Sequence, residues 1–399
     1  MEQVIQARIA EQEIINEIKS EFEVVTICNE QANLARELWK EVFPEVSERF
    51  LDYYFAYRAK ENIMFAVQGD ELYSMLHLSP CSSAMRRNPP LPGANRLPCM
   101  ADVVRVDANF ISMAVTKEGY RKRGYMKRLL SSAFEYQRRM HIPFCMVAAE
   151  ADTFFEQFGF HYIYDKPQYE LNTEVISEEM LRKAAGGETV CLDGIDTVLT
   201  VADRGSLLSL AHFVNANLCK HYGVFHIRSA VYYERFQREL QSLGGELYQI
   251  VEHGKLKGYF AYVAENGGCI REVVFENEPD LEQYFYMAKE QIPTAMARIV
   301  NLPDMLRHIS SNGKVTVAIR LIDSMIAEND GLFIWYIDEY GSRMERVEEP
   351  ENGDEPSMRP EVTATIGEFT AFIFEYIKLK QNLKFDSIYL SGPAFFFTM

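Results

Sequence analysis

The sequence is poor in the features that narrow a function quickly. Seven cysteines lie scattered at positions 28, 81, 99, 145, 191, 219 and 269, with no CxxC pair among them. An odd, irregularly spaced set in a chain of 399 residues excludes a dense disulfide frame and fits reduced thiols in a cytoplasm. Eight histidines show no HExxH or other ligand spacing, so no metal is expected. No apolar run is long enough to span a bilayer, and no membrane partner is expected. The opening MEQVIQARIAEQEIINEIKSE lacks the basic and apolar regions of a signal peptide. Positive charge is scarce as well: 41 Lys and Arg face 58 Asp and Glu, a formal net charge of −17. That balance excludes the broad basic face of a nucleic-acid binder.

What is present reads as a soluble globular protein, with 48% hydrophobic and 25% charged residues. Its length predicts two or three domains. Ile5, Ile9, Ile15 and Ile18 recur at helical spacing and predict an amphipathic N-terminal helix. From residue 23 the pattern alternates. EVVTIC reads as a strand, and NEQANLARELWKEVF as a helix with a start signal at Asn29. NIMFAVQGDELYSMLHL reads as a hairpin turning at Gly69-Asp70. Residues 81–109, rich in Pro and Gly, predict a long connection. FISMAV, FCMVAAE and HYIYDKPQYEL read as strands. RKRGYMKRLLSSAFEYQRRM reads as a long helix, and TFFEQFGF as a short one ending at Gly159. Such alternation predicts an α/β fold, a mixed sheet with helices on its faces.

A weak internal repeat follows. GGELYQIVEHGKLKGYFAYV (244–263) has the shape of the earlier hairpin and again follows a helical stretch, YYERFQRELQSL. CIREVVFENEPDLEQYFYMAKEQ then reads as a strand followed by a helix, without a basic glycine turn. Residues 171–292 therefore read as a second, degenerate copy of the domain in 1–170. Residues 293–399 form a third part, with strands VTVAIRLI and GLFIWYI and an acidic loop over 338–356. The chain closes on SIYLSGPAFFFTM, whose apolar residues predict an inward-packed terminus.

One stretch runs against the acidic average. YRKRGYMKRLL (120–130) gathers five cations around one glycine, where a strand hands over to a helix. Backbone N–H groups at a helix N-terminus are unpaired and favour anions, while cations alone are disfavoured there. A bound anion resolves that conflict. Gly124 lacks a Cβ, so a pyrophosphate can approach the backbone, and Arg121, Lys122 and Arg123 supply charge around it. A solvated helix start with surface cations is the competing reading.

VTKEGYRKRGYMKRLL resembles the acetyl-CoA signature R/Q-x-x-G-x-G/A of GNAT-type N-acetyltransferases, with Met126 where a small residue is usual. FFEQFGF (154–160) is similar to a later motif of the same family, and the whole chain resembles the Eis group of these enzymes. The resemblance implies two GNAT-type mixed sheets flanked by helices, the second degenerate, and a sterol-carrier-like α+β domain over 293–399. It also implies a homo-oligomer and acetyl-CoA as cofactor. The pantetheine arm is expected on Met113, Ala114, Val115 and Thr116, and the pyrophosphate on Arg121, Lys122, Arg123, Gly124, Tyr125 and Met126. The family's acid is a tyrosine, and Phe155 stands at that position with no proton to give. Water, Tyr162 or Tyr164 could replace it, or those tyrosines are strand residues with satisfied hydroxyls. By the same resemblance the base is the C-terminal carboxylate of Met399, unless the tail only packs on its own domain.

The expected activity is transfer of an acetyl group to a primary amine of an aminoglycoside, polyamine or lysine-like acceptor. Two alternatives stand beside it: an acyl-CoA-binding module with little turnover, and a lipid-binding protein acting through its C-terminal domain.

Overall fold

The computed structural model describes residues 9–14, 16, 24–27, 32–69, 71–86, 99–149, 153–192, 196–264, 268–311, 313–348, 358–379, 388–389 and 395–396. Helix α1 covers 9–14, where Glu11 accepts a hydrogen bond from the Tyr136 hydroxyl at 2.8 Å. Strand β1 (Val25–Thr26) and helices α2 (Ala32–Val42) and α3 (Glu48–Tyr53) lead to the hairpin β2 (Ile63–Gln68) and β3 (Leu72–Arg86). Strand β4 (Val103–Thr116), helix α4 (Tyr125–Arg139), β5 (Phe144–Ala148) and β6 (His161–Leu171) follow. α4 buries Met126, Leu129, Leu130, Ala133 and Phe134 against the sheet, a stripe at helical spacing. Arg138 and Arg139 close its last turn, where the helix dipole favours cations.

The connection expected over 81–109 is strand at both of its ends. β3 runs on to Arg86, β4 begins at Val103, and the two pair antiparallel from Arg86↔Val103 to Ser74↔Thr116. Cys81, Ser82 and Ser83 carry little apolar signal, yet their backbone is paired on the β4 side. Sheet pairing overrides composition here.

Next come α5 (Glu178–Ala185), β7 (Val190–Cys191), β8 (Thr197–Val201), α6 (Leu207–His221), β9 (Val224–His226) and α7 (Ala230–Ser242). The expected second hairpin is β10 (Gly245–Glu252) with β11 (Lys255–Val263), followed by β12 (Cys269–Phe275). These form a sheet in the order β12-β11-β10-β8-β7 with antiparallel neighbours. The helix expected after β12 is short. α8 (Glu278–Tyr284) gives way to β13 (Phe285–Ile299), which inserts between β5 and β6 of the first sheet. Its pairing on both edges outweighs the helical pattern of YFYMAKEQ. The boundary expected at 292/293 falls inside this strand.

The last part holds α9 (Leu302–Leu306), β14 (Ser310–Ser311), β15 (Val315–Ile322), β16 (Gly331–Asp338), β17 (Gly341–Arg346), β18 (Val362–Thr365), α10 (Ile366–Ile373), β19 (Ile388–Tyr389) and β20 (Phe395–Phe396). Part of the predicted acidic loop is thus β17, an edge strand whose charged residues face solvent. Among the described residues the first sheet has nine strands: β1-β2-β3-β4-β5-β13-β6, with β9 and β20 joined at the far end of β3. One apolar core runs from Phe144 and Ala297 of this sheet to Trp335 and Phe369 of the last part. The fold is mixed α/β, with sheets flanked by helices, as the alternation predicted.

Candidate active site

The site begins where β4 breaks away from its neighbour. β4 pairs parallel with β5 only over 109–111, but stays with β3 to Thr116. Opposite Leu76 the β3–β4 register shifts, and Met113 there has a φ of 50°. This is a β-bulge, which turns the strand end away from β5. Its neighbours face different spaces: Ala114, Val115 and Thr116 line one cavity, and Met113 another.

The first cavity, about 710 Å³, meets the basic turn. Gly124 caps α4 with φ 80° and ψ 3°, a left-handed conformation that glycine adopts without strain. A Cβ added there would meet nothing within 4 Å, so the backbone is open to a ligand. Arg121, Lys122, Tyr125 and Met126 line the same cavity. Arg123 does not; it donates to Gly119 O at 2.9 Å and lies over the Tyr120 ring, holding the turn from behind. Arg121 Nε donates to Thr116 O at 3.2 Å and ties the turn to the bulged strand. Lys117 is neutralised by Glu41 and Glu71. Among the described residues, Arg121, Lys122 and Arg123 have no carboxylate partner. Arg121 and Lys122, which line the cavity, are therefore available to an anion.

Seven lining residues were not among the expected site residues: Val42, Phe43, Tyr120, Lys127, Phe154, Gln157 and Phe158. Lys127 had a signal, being three residues after Gly124 on the first turn of α4. Phe43 comes from the end of α2, and nothing local marks it. The ring facing the cavity from the later motif is Phe154, 43% exposed, with Phe158 beside it. Phe155 is 8% exposed and turned into the core, its ring 5.7 Å from that of Phe160. Tyr162 donates to Ala149 O at 2.7 Å, and Tyr164 is buried in the shared core. Neither lines either cavity, which favours the reading of satisfied strand tyrosines.

The second pocket, about 160 Å³, has a topological origin. β2 leaves the edge of β3 at Leu78, and β9 joins that same edge at Ser83. Ser79, Pro80 and Cys81 lie in the gap, beside His226 at the end of β9. Behind Ser112 sits a buried polar group: the Tyr54 hydroxyl and His77 Nδ1 share a hydrogen bond of 2.8 Å, and Asn62 Nδ2 donates to that hydroxyl at 3.0 Å. Burial holds the His77 pKa at about 3, so its ring is neutral. His226 is also held neutral by burial and by the nearby Arg228 charge. Met399 lies outside the described residues, but β20 pairs parallel with β9 through Phe395↔Val224 and Phe396↔Phe225.

Residues 97–163 match the family model of the acetyltransferase (GNAT) domain. Solved structures share the fold across nearly the whole chain. A probable N-acyltransferase from Enterococcus faecalis is 15% identical, over 89% of this chain and 90% of that one, with a TM-score of 0.66. A GCN5-related N-acetyltransferase from Anabaena variabilis is 13% identical, over 89% and 90%, with a TM-score of 0.62. Eis1 from Mycobacterium abscessus is 10% identical, over 94% and 98%, with a TM-score of 0.63. Such identities establish the fold alone. No curated protein matches the chain in sequence. The domain match covers the bulge, the glycine turn and the Phe155–Phe160 turn, and makes the chain an acetyltransferase enzyme, as expected.

Among the described residues no group of three or more His, Cys, Asp or Glu could hold a metal ion. No described helix is long and apolar enough to cross a membrane.

Proposed function

We propose that the protein transfers an acetyl group from acetyl-CoA to a primary amine, as an Eis-like enzyme. The observation that carries this reading is the continuous cavity from the bulged strand end, Ala114 to Thr116, to the open glycine turn at 121–126. Residues there fit an acyl-CoA: strand backbone for an amide-bearing arm, and unpaired helix N–H groups with Arg121, Lys122 and Lys127 for a diphosphate. Bound there, acetyl-CoA supplies an activated acetyl thioester.

The acceptor amine approaches from the second pocket, on the Met113 side of the bulge. The Met399 carboxylate takes its proton. That assignment is supported by β20, which runs parallel to β9 toward His226 in the pocket wall. With Phe155 buried and lacking a hydroxyl, the departing sulfur takes its proton from water. In the same reading 1–170 is the acetyl-CoA-binding domain and 171–292 its degenerate copy. β10, β11, β12, α8 and β13 repeat the order of β2, β3, β4, α4 and β5. The copy has Glu276, Glu278 and Asp280 at the turn where the first has cations, and so repels phosphate. Residues 293–399 form the sterol-carrier-like domain of a cytoplasmic homo-oligomer.

The test is thermal. Acetyl-CoA raises the melting temperature of the wild type, and Arg121→Glu with Lys127→Glu abolishes the shift. An unchanged shift in that variant places the diphosphate elsewhere. A second reading, a binder with little turnover, is favoured by the missing hydroxyl at 155. Release of free thiol from acetyl-CoA with an amine present separates the two. Extension of the chain beyond Met399 cuts that release while leaving the acetyl-CoA shift intact.

A further inference from the structure

The second pocket is small and carries an uneven charge. A cavity near 150 Å³ lined by apolar groups holds one benzene-sized molecule, and this pocket of about 160 Å³ is of that order. Its walls are rich in rings: Phe50, Tyr53, Tyr54, Phe110, Tyr232 and Phe236. Three charged side chains face it. Arg235 is paired with Glu61, and Glu239 accepts a hydrogen bond from the Tyr53 hydroxyl at 3.3 Å. Arg58 has no carboxylate partner among the described residues. Burial raises the Glu239 pKa, against the opposing pull of the Arg58 charge, and His226 is neutral. Glu239 is engaged by the Tyr53 hydroxyl, and Arg58 makes no ion pair among the described residues, which leaves its guanidinium to meet a ligand.

A polycation loses its hydration on entering such a space and meets the guanidinium groups of Arg58 and Arg235. A ring bearing an anion meets stacking surfaces and a charge to pair with. A wider groove of about 660 Å³ shares Pro80, Cys81, His226, Tyr232 and Arg235 with the pocket and leads out to solvent.

Resting on the acetyl-transfer reading, we infer that this pocket selects an amine that also carries a ring-sized apolar group and a carboxylate, with Arg58 as the carboxylate's partner. The acceptor class is the aromatic amino acid, not the aminoglycoside or polyamine. In the reaction a bond forms between the amine nitrogen and the acetyl carbonyl carbon, and the carbon–sulfur bond breaks. The nitrogen gives up its proton to the base, and the sulfur takes one from water.

Matched pairs test this: phenylalanine against phenethylamine and tryptophan against tryptamine, with spermidine and kanamycin alongside. The carboxylated member of each pair has the higher kcat/KM by about tenfold or more. In Arg58→Met the ratio falls to about one, and the retained acetyl-CoA melting shift shows that the fold is intact. Equal rates within each pair overturn the inference. So does a preference for spermidine or kanamycin, or an Arg58→Met variant that loses all amines alike because Arg58 serves a carboxylate of the protein itself. Calorimetric titration with phenylalanine probes the pocket without turnover, and wild type that binds no phenylalanine also overturns the inference. Failure of the transferase reading is separate: no acetyl-CoA shift, and no thiol released with any amine.

Discussion

Arg298 and Asp323 form a fully buried ion pair, in which Nη2 alone donates to both carboxylate oxygens, at 2.7 and 2.6 Å. The other end of the same guanidinium, Nη1, donates to Phe158 O, and its Cζ lies 4.5 Å from the centroid of the Phe134 ring. Phe158 lines the larger cavity. One side chain of β13 therefore joins the wall of that cavity to the last part of the chain.

Breaking this pair leaves a charge buried without a counterion. Asp323→Ala is expected to lower stability by about 3–5 kcal/mol. The loss falls at the upper end because Asp323 also accepts from Met325 N, Ile326 N and Asn329 Nδ2. Urea denaturation measures the loss. Where the variant stays folded, its acetyl-CoA affinity falls too, since the Phe158 carbonyl is no longer held.

Gly124 and Gly159 have the same φ, 80°, and opposite surroundings. Gly124→Ala adds a Cβ to open space and costs about 1 kcal/mol of backbone strain. It also places a methyl group where the diphosphate is proposed to sit, so the acetyl-CoA melting shift is lost while the fold remains. Gly159→Ala drives a Cβ into Arg298 Nη1 and to 2.7 Å from Ile366 Cγ2. Its melting temperature falls well below that of Gly124→Ala. Equal destabilisation of the two variants contradicts this account.

Adjacent phenylalanines should separate in the same way. Phe155→Ala empties a core position and costs about 3–5 kcal/mol by chemical denaturation. Phe154→Ala removes an exposed ring from the cavity wall, leaving stability nearly unchanged and weakening acetyl-CoA binding.

His77 makes the protein acid-sensitive. Unfolded, its imidazole takes a proton near pH 6.5; folded, burial keeps it neutral down to about 3. Its contribution is complete above pH 6.5 and is lost as pH falls, by about 1.4 kcal/mol per unit, until the folded value is reached. His308, held at about 4 by burial, adds to the loss over a shorter range. The urea midpoint is expected to drop between pH 7 and 5, and His77→Asn should flatten that slope.

Much of the chain up to residue 170 was legible because its signals are local. A glycine with cations at a helix start, the 3.6-residue stripe of α4 and the hairpin at Gly69 each lie within one short window. The extension of β3 through Cys81, Ser82 and Ser83 was not legible, since those residues become strand through β4 and β9 rather than through their own propensity. Nor was β13, whose partners β5 and β6 lie more than a hundred residues earlier in the chain.

By itself the sequence determined the chemistry on offer: a cation-rich glycine turn at Gly124, an acidic remainder, and alternating strands and helices. Only the tertiary structure decided which of those residues share a space. The bulge at Met113 sends adjacent residues of β4 into two different cavities. The gap between β2 and β9 on the edge of β3 creates the pocket that holds Arg58. Strand pairing joins residues distant in the chain at the cost of closing long loops, so no short window of sequence carries a record of it.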